Sequence, residues 1–172
     1  MHKRSGYRAN LTKMKAFFLL SYIANEQENK AVHPSGETLK YILNIIESAL
    51  AEPGHGEFGN ASQGYHADEV LEAIGNLLGC SEDNVPNFLT AGLLPILTRI
   101  LDGPLYVPTE TNTNEEEGPS NEDSDQHVIL PNQYNLVEKR LAAKCCWALC
   151  FNVNARNAIA SNIKLSRGMK YV

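Results

Sequence analysis

The chain of 172 residues is 43% hydrophobic and 8% aromatic, enough for one sizeable core but not for two independent ones. Its formal net charge of -5 excludes a general electrostatic attraction to nucleic acid or to an anionic membrane. One domain, or one run of stacked units, is therefore expected over 1–172. Charge is unevenly placed. His2, Lys3, Arg4, Arg8, Lys13 and Lys15 make the start basic, and Glu115, Glu116, Glu117, Glu122, Asp123 and Asp125 make a later stretch acidic.

Behind Lys13 and Lys15 the apolar run Ala16 to Ala24 has the form of a signal peptide, and Asn10-Leu11-Thr12 and Asn60-Ala61-Ser62 are formal glycosylation sequons. The same run fits a helical unit, and sequons this short arise by chance. A cytoplasmic or nuclear setting is therefore expected in preference to secretion. No apolar stretch approaches the length of a membrane-spanning helix. Leu39, Ile42, Leu43, Ile46 and Leu50 recur at i, i+3, i+4, i+7 and i+11, which predicts one amphipathic helix. The Gly-rich stretch 53–65, with Gly54, Gly56, Gly59 and Gly64, reads as a loop. It carries no phosphate-binding pattern.

Val70, Ile74, Leu77 and Leu78 make a second stripe, and His66 with Asp68 before it reads as an entry turn. No nucleophile in a strained glycine turn accompanies that pair, so no catalytic site is expected there. Ser81, followed by Glu82 and Asp83, is a helix start with acids at the positive end of the dipole. Gly92 is placed to end that helix before Leu93 opens another, which carries Leu94, Ile96, Leu97, Ile100 and Leu101. The stretch 103–135 is polar and acidic, and is expected to be a disordered insertion, since it has too little apolar surface to offset the entropy of ordering. Within it, Ser120 and Ser124 suit a docking or phosphorylation segment. Asn121, Asp123 and Asp125 alternate like calcium ligands but lack the Gly and the closing Glu of such a loop.

Ala142, Cys146, Leu149, Cys150 and Val153 make a third stripe, and no alternating β-branched segment competes with the helices, so no sheet is expected. Three of the four cysteines, Cys145, Cys146 and Cys150, fall on this one helix, with Cys80 elsewhere. That placement suits buried apolar thiols in a reducing compartment better than disulfides, and no His stands at a ligand-like spacing for a metal.

With the loops set aside, three segments overlay: AFFLLSYIANEQEN from Ala16 to Asn29, LEAIGNLLGCSEDN from Leu71 to Asn84, and KCCWALCFNVNARN from Lys144 to Asn157. Each is an apolar helix, a small polar turn, and an Asn expected to open a short helix. Self-similarity of this kind marks a solenoid, whose units are stable only when a neighbour covers the apolar face. On these residues, and best over Val70 to Gly103, the chain resembles the armadillo-repeat family. The aligned Asn residues are further apart than the roughly 40–47 residues of such a repeat, the excess lying in the two loops.

The resemblance implies an all-α, armadillo-like right-handed helical superhelix whose third helices line a concave groove. It also implies a Trp, and an Asn four positions later, that grip an extended peptide. The matching pairs here are Phe18 with Tyr22, Glu72 with Asn76, and Trp147 with Phe151. Only Asn76 keeps the Asn and only Trp147 the Trp, and Phe151 cannot bond a peptide group. The groove is thus expected to take a partner helix or apolar segment through Tyr22, Asn76, Trp147 and Phe151, with Phe18 beside them. The implied function is a protein-protein interaction scaffold, not an enzyme, with no cofactor and no metal. The alternative is a regulatory repeat module of a larger signalling enzyme, and extracellular adhesion is a third.

Overall fold

A computed structural model describes residues 3–23, 34–51, 61–62, 65–105 and 134–171. The expected disordered insertion lies outside the described residues over 106–133, and the Gly-rich loop does so over most of its length. Among the described residues the protein is all-α, with eight α-helices: α1 (Lys3–Ile23), α2 (Gly36–Ala51), α3 (Ala67–Cys80), α4 (Val85–Ala91), α5 (Leu93–Asp102), α6 (Leu136–Leu149), α7 (Val153–Ser161) and α8 (Ile163–Gly168).

The first two apolar stripes become buried faces, as does one side of α1. Met14, Phe17 and Ser21 of α1, at i, i+3 and i+7, are buried, as are Leu39, Ile42, Leu43, Ile46 and Leu50 of α2 and Val70, Ile74, Leu77 and Leu78 of α3. Full burial of each such Leu, Ile or Val contributes about 1.5–3 kcal/mol. The third stripe stops short. Leu149 closes α6, so Cys150 is only half-buried and Val153, which opens α7, is exposed.

The helices α1, α3 and α6 lie side by side in chain order, α3 packing on both α1 and α6. Behind them α2 packs on α1, α3 and α4, and α5 packs on α6 and α8. The short helix α4 meets α7. All helices share one apolar core.

Polar side chains set the turns between these helices. Gly92 ends α4 with φ 102, a left-handed conformation that glycine adopts without strain, and its N–H donates to Leu89 O at 3.1 Å. Asn135 and Glu138 form a reciprocal capping box on α6: Asn135 Oδ1 accepts from Glu138 N–H at 2.8 Å, and Glu138 Oε2 accepts from Asn135 N–H at 3.0 Å. Asn152 Oδ1 caps α7 and Asn162 Oδ1 caps α8.

The structure departs from the sequence expectations at three places. The Gly-rich loop ends in a two-residue antiparallel pairing of β1 (Ala61–Ser62) with β2 (Tyr65–His66), the only ladder of more than one pair among the described residues. Tyr65 therefore belongs to the fold, and its ring stacks on Phe18 at 5.2 Å. The stretch expected to be disordered was placed as far as Asn135, yet Tyr134 and Asn135 belong to the described fold. Tyr134 is buried, bridges to Leu105 and lies against Gly103, while Lys139 donates to Leu101 O and Gly103 O to close the carbonyl end of α5. Asn157, expected to open a helix, sits exposed inside α7, and Asn152 is the cap. Since α3 and α6 are both 14 residues long, matching their ends shifts the overlay by about one turn from the one carried by Asn84 and Asn157.

Candidate functional site

The row of α1, α3 and α6 carries a trough on its outer face. Its floor is α3, where Gly75 and Gly79, one turn apart, present no side chain. Its walls are Tyr22 of α1 on one side and Trp147 of α6 on the other. A cavity of about 360 Å³ contains Tyr22, Gly75, Asn76, Gly79, Lys144 and Trp147. A second, of about 550 Å³, continues from Gly79, Cys80 and Trp147 past Ala148 to Phe151, with Glu82 and Asp83 on its far wall. Gly79, Cys80, Trp147 and Ala148 belong to both, so the two form one groove.

Three large aromatics stand open along it: Tyr22 is 54% exposed, Trp147 64% and Phe151 57%. Trp147 and Phe151, at i and i+4 across the end of α6, hold each other edge to face with centroids 4.9 Å apart. Leu19, one turn before Tyr22, and Ile23 next to it are also exposed.

The polar groups of the groove are partnered across helices. Tyr22 donates to Glu72 Oε2 at 2.9 Å, tying α1 to α3. Burial first, then the bond to Glu72 and the nearby carboxylates, pushes the phenol up to about 12, so it stays a donor at neutral pH. Lys144 donates to Asn76 Oδ1 at 2.9 Å, tying α3 to α6. Beneath them Cys145 Sγ approaches Leu71 O at 3.4 Å in the α3–α6 interface, and burial pushes the Cys145 thiol and its neighbour Cys146 up. All four cysteines are free thiols.

Of the residues read from the sequence, Tyr22, Asn76 and Trp147 meet in one cavity, and Phe151 joins through Trp147. Phe18 does not line it. Its ring is turned onto Phe17 and Tyr65, so it braces the hairpin instead. Asn76 is engaged by Lys144, a partner that the sequence overlay did not place beside it. The sequence reading missed Gly75, Gly79, Cys80 and Lys144. The available signal was the pair of glycines one turn apart, Gly75 and Gly79, inside an amphipathic helix, which marks a close approach or an open surface.

His66 and Asp68 act as helix-start groups. His66 N–H donates to Glu69 Oε2 at 3.1 Å, and Asp68 Oδ1 accepts from Glu69 N–H at 2.9 Å. Among the described residues no group of three His, Cys, Asp or Glu side chains is placed to hold a metal. Asn121, Asp123 and Asp125, with Ser120 and Ser124, lie outside the described residues. No helix among the described residues is long and apolar enough to cross a membrane. Comparison with family models, curated proteins and solved structures found no match to this chain.

Proposed function

We propose that the chain is an interaction scaffold of armadillo-like stacked units that holds a partner segment along the α1–α3–α6 face and acts by binding, without catalysing a reaction. The observation that carries this is the set of exposed aromatics around a glycine-floored groove: Tyr22, Trp147 and Phe151 present large apolar surface to solvent, with Asn76 and Lys144 between them. Aromatic side chains in that position are the usual anchors of protein interfaces, and an apolar surface of this kind is uncommon where nothing docks. The groove is open along its length and suits a helix or an extended apolar segment better than a small molecule.

The packing pattern supports the stacked reading. α3 lies on α6, α4 on α7 and α5 on α8, so each helix of one unit meets the corresponding helix of the next.

The experiment compares partners recovered from the native source by the parent chain, by Asn76→Ala with Trp147→Ala, and by Gly79→Leu. A Cβ at Gly79 would meet no atom within 4 Å, so Gly79→Leu fills the groove without disturbing the core. Loss of the same partners from both variants, at an unchanged melting temperature, is expected. Folded variants that still recover those partners would place the binding surface elsewhere.

A further inference from the structure

The open edge of α6 has an order along it. Arg140, Lys144, Trp147 and Phe151 fall at i, i+4, i+7 and i+11, and all four are exposed, whereas Cys145, Cys146 and Leu149 are buried. Two cations are thus followed by two aromatics, with Lys144 about two turns before Phe151. The groove beside this edge continues the order. One cavity joins Lys144 to Trp147, and the next runs from Trp147 past Phe151 to Glu82 and Asp83. Along the groove the surface passes from cation through aromatic to carboxylate.

The sequence sharpens this division. No Lys or Arg occurs from Tyr65 to Thr98, and no Asp or Glu follows Glu138, which is itself buried in the capping box of α6. The α3–α4 side of the groove therefore carries negative charge and the α6 side positive charge. Glu72, at the cationic end, is held by Tyr22. Among the described residues the only ion pairs join Asp102 to Lys164 and Arg167, so Glu82, Asp83, Arg140 and Lys144 form none. Exposed charges are satisfied by water and by themselves call for no partner. Their arrangement about open aromatics does, because a surface that runs from positive to negative through an apolar centre is its own complement after a half turn.

We infer that the groove is occupied by a second copy of the chain, docked about a two-fold axis near Trp147. The α6 edges of the two copies run antiparallel, Arg140 and Lys144 of each facing Glu82 and Asp83 of the other. Each Trp147 ring enters beside the other copy's Gly79, where a Cβ would meet no atom within 4 Å. Aromatic anchors at the centre with charged groups at the rim are the usual anatomy of a protein interface, and a helix edge is an occupant that an open groove accepts. A foreign helix would need the same run of cations, aromatics and carboxylates, which the second copy already has. This inference rests on the binding role proposed for the groove and names its occupant.

Sedimentation equilibrium of the full chain from micromolar to millimolar concentration should show a monomer–dimer equilibrium that weakens as salt rises, because the charges meet at the rim. Glu82→Lys with Asp83→Lys, and separately Arg140→Glu with Lys144→Glu, should each weaken the dimer by at least about tenfold, since like charges then face each other. Mixed in equal amounts, the two variants should form a heterodimer as tight as the parent dimer, because every reversed charge again meets its opposite. Thermal melts check that each variant is folded. If either is not, Gly79→Leu decides: it fills the place of the incoming Trp147 and should abolish the dimer at an unchanged melting temperature. A parent chain that stays monomeric through the millimolar range overturns the inference, as do reversed variants that dimerise like the parent or gain nothing on mixing. Should that monomeric chain still recover partners that the Asn76→Ala, Trp147→Ala variant loses, the groove keeps its binding role and only the second copy is removed as its occupant.

Discussion

Trp147 and Leu149 stand two positions apart on α6, yet only Leu149 is buried. The sequence puts Leu149 on the third stripe and Trp147 beside the groove, although Leu141, Ala143, Cys145 and Ala148 carry apolar surface well beyond that stripe. Which part of such a surface is covered depends on the neighbours, here α3 and α5. Because Trp147 is 64% exposed and its ring meets Phe151 edge to face at the surface, Trp147→Ala should change stability by no more than about 0.5 kcal/mol in urea unfolding, the range of surface substitutions. A loss in the range of about 3–5 kcal/mol, typical of a buried Trp, would show that the ring is core. Glycines give a second contrast at this scale. A Cβ at Gly168 would lie 2.6 Å from Leu101 O and 2.8 Å from Leu101 Cβ, so Gly168→Ala should force α8 away from α5 and cost about 1–3 kcal/mol. At Gly75 the nearest atom would be Cys145 Sγ at 3.5 Å, an ordinary contact. Gly75→Ala should be tolerated, and can gain up to about 1 kcal/mol of helix propensity. Thermal melts of the two variants, taken together, check both expectations.

The elements were legible where a stripe was one-sided. Leu39 to Leu50 and Val70 to Leu78 show the helical period without competition, and both stripes are buried as read. Boundaries were less legible, because they are set by side-chain bonds to the backbone that many residues could make. Asn152 and Asn157 both stand near the α6–α7 turn, and only the position of the carboxamide against two N–H groups distinguishes the cap. The end of the insertion was misplaced for a related reason. Composition places Tyr134 and Asn135 with the polar stretch, but one fills the space beside Gly103 and the other caps α6. A linker replacing 106–133 should therefore melt well above one replacing 106–135. The second should lose about 1 kcal/mol for the cap and a further amount of about 3 kcal/mol for the buried ring. Equal melting temperatures would return both residues to the loop.

For the molecule as a whole, the helical class was legible in the sequence; Tyr22, Asn76 and Trp147 line one cavity, although the overlay that singled them out is one turn out between α3 and α6. Lateral contacts between helices were not legible, because they depend on a shift of one turn between α3 and α6. That interface sets the response of the whole fold to alkali. Cys145 lies within it and Cys146 is buried next to Cys145 on α6, and burial, reinforced by neighbouring thiols, raises both from an ordinary value of 9.0, Cys146 to about 12. Lys144 acts in the opposite sense on Cys145 but does not outweigh burial. The folded chain therefore holds two thiol protons that the unfolded chain releases above pH 9. A group whose folded value is raised stabilises fully below its unfolded value and loses that contribution as pH climbs toward the folded one. Between pH 9 and about 12 each thiol should lower the unfolding free energy with a slope approaching about 1.4 kcal/mol per pH unit. Tyr22 and Tyr134 are also raised and add to the fall, whereas Lys139, lowered by burial, opposes it below pH 10.5. The cysteine share is isolated by difference. Urea unfolding of the parent and of Cys146→Ala, measured from pH 8 to pH 10.5, should give a shallower alkaline slope in the variant, which has lost one ionising thiol but none of the phenols or amines. Parallel slopes would mean that Cys146 ionises as readily in the folded chain as in the unfolded one, and that the core around it is open to water.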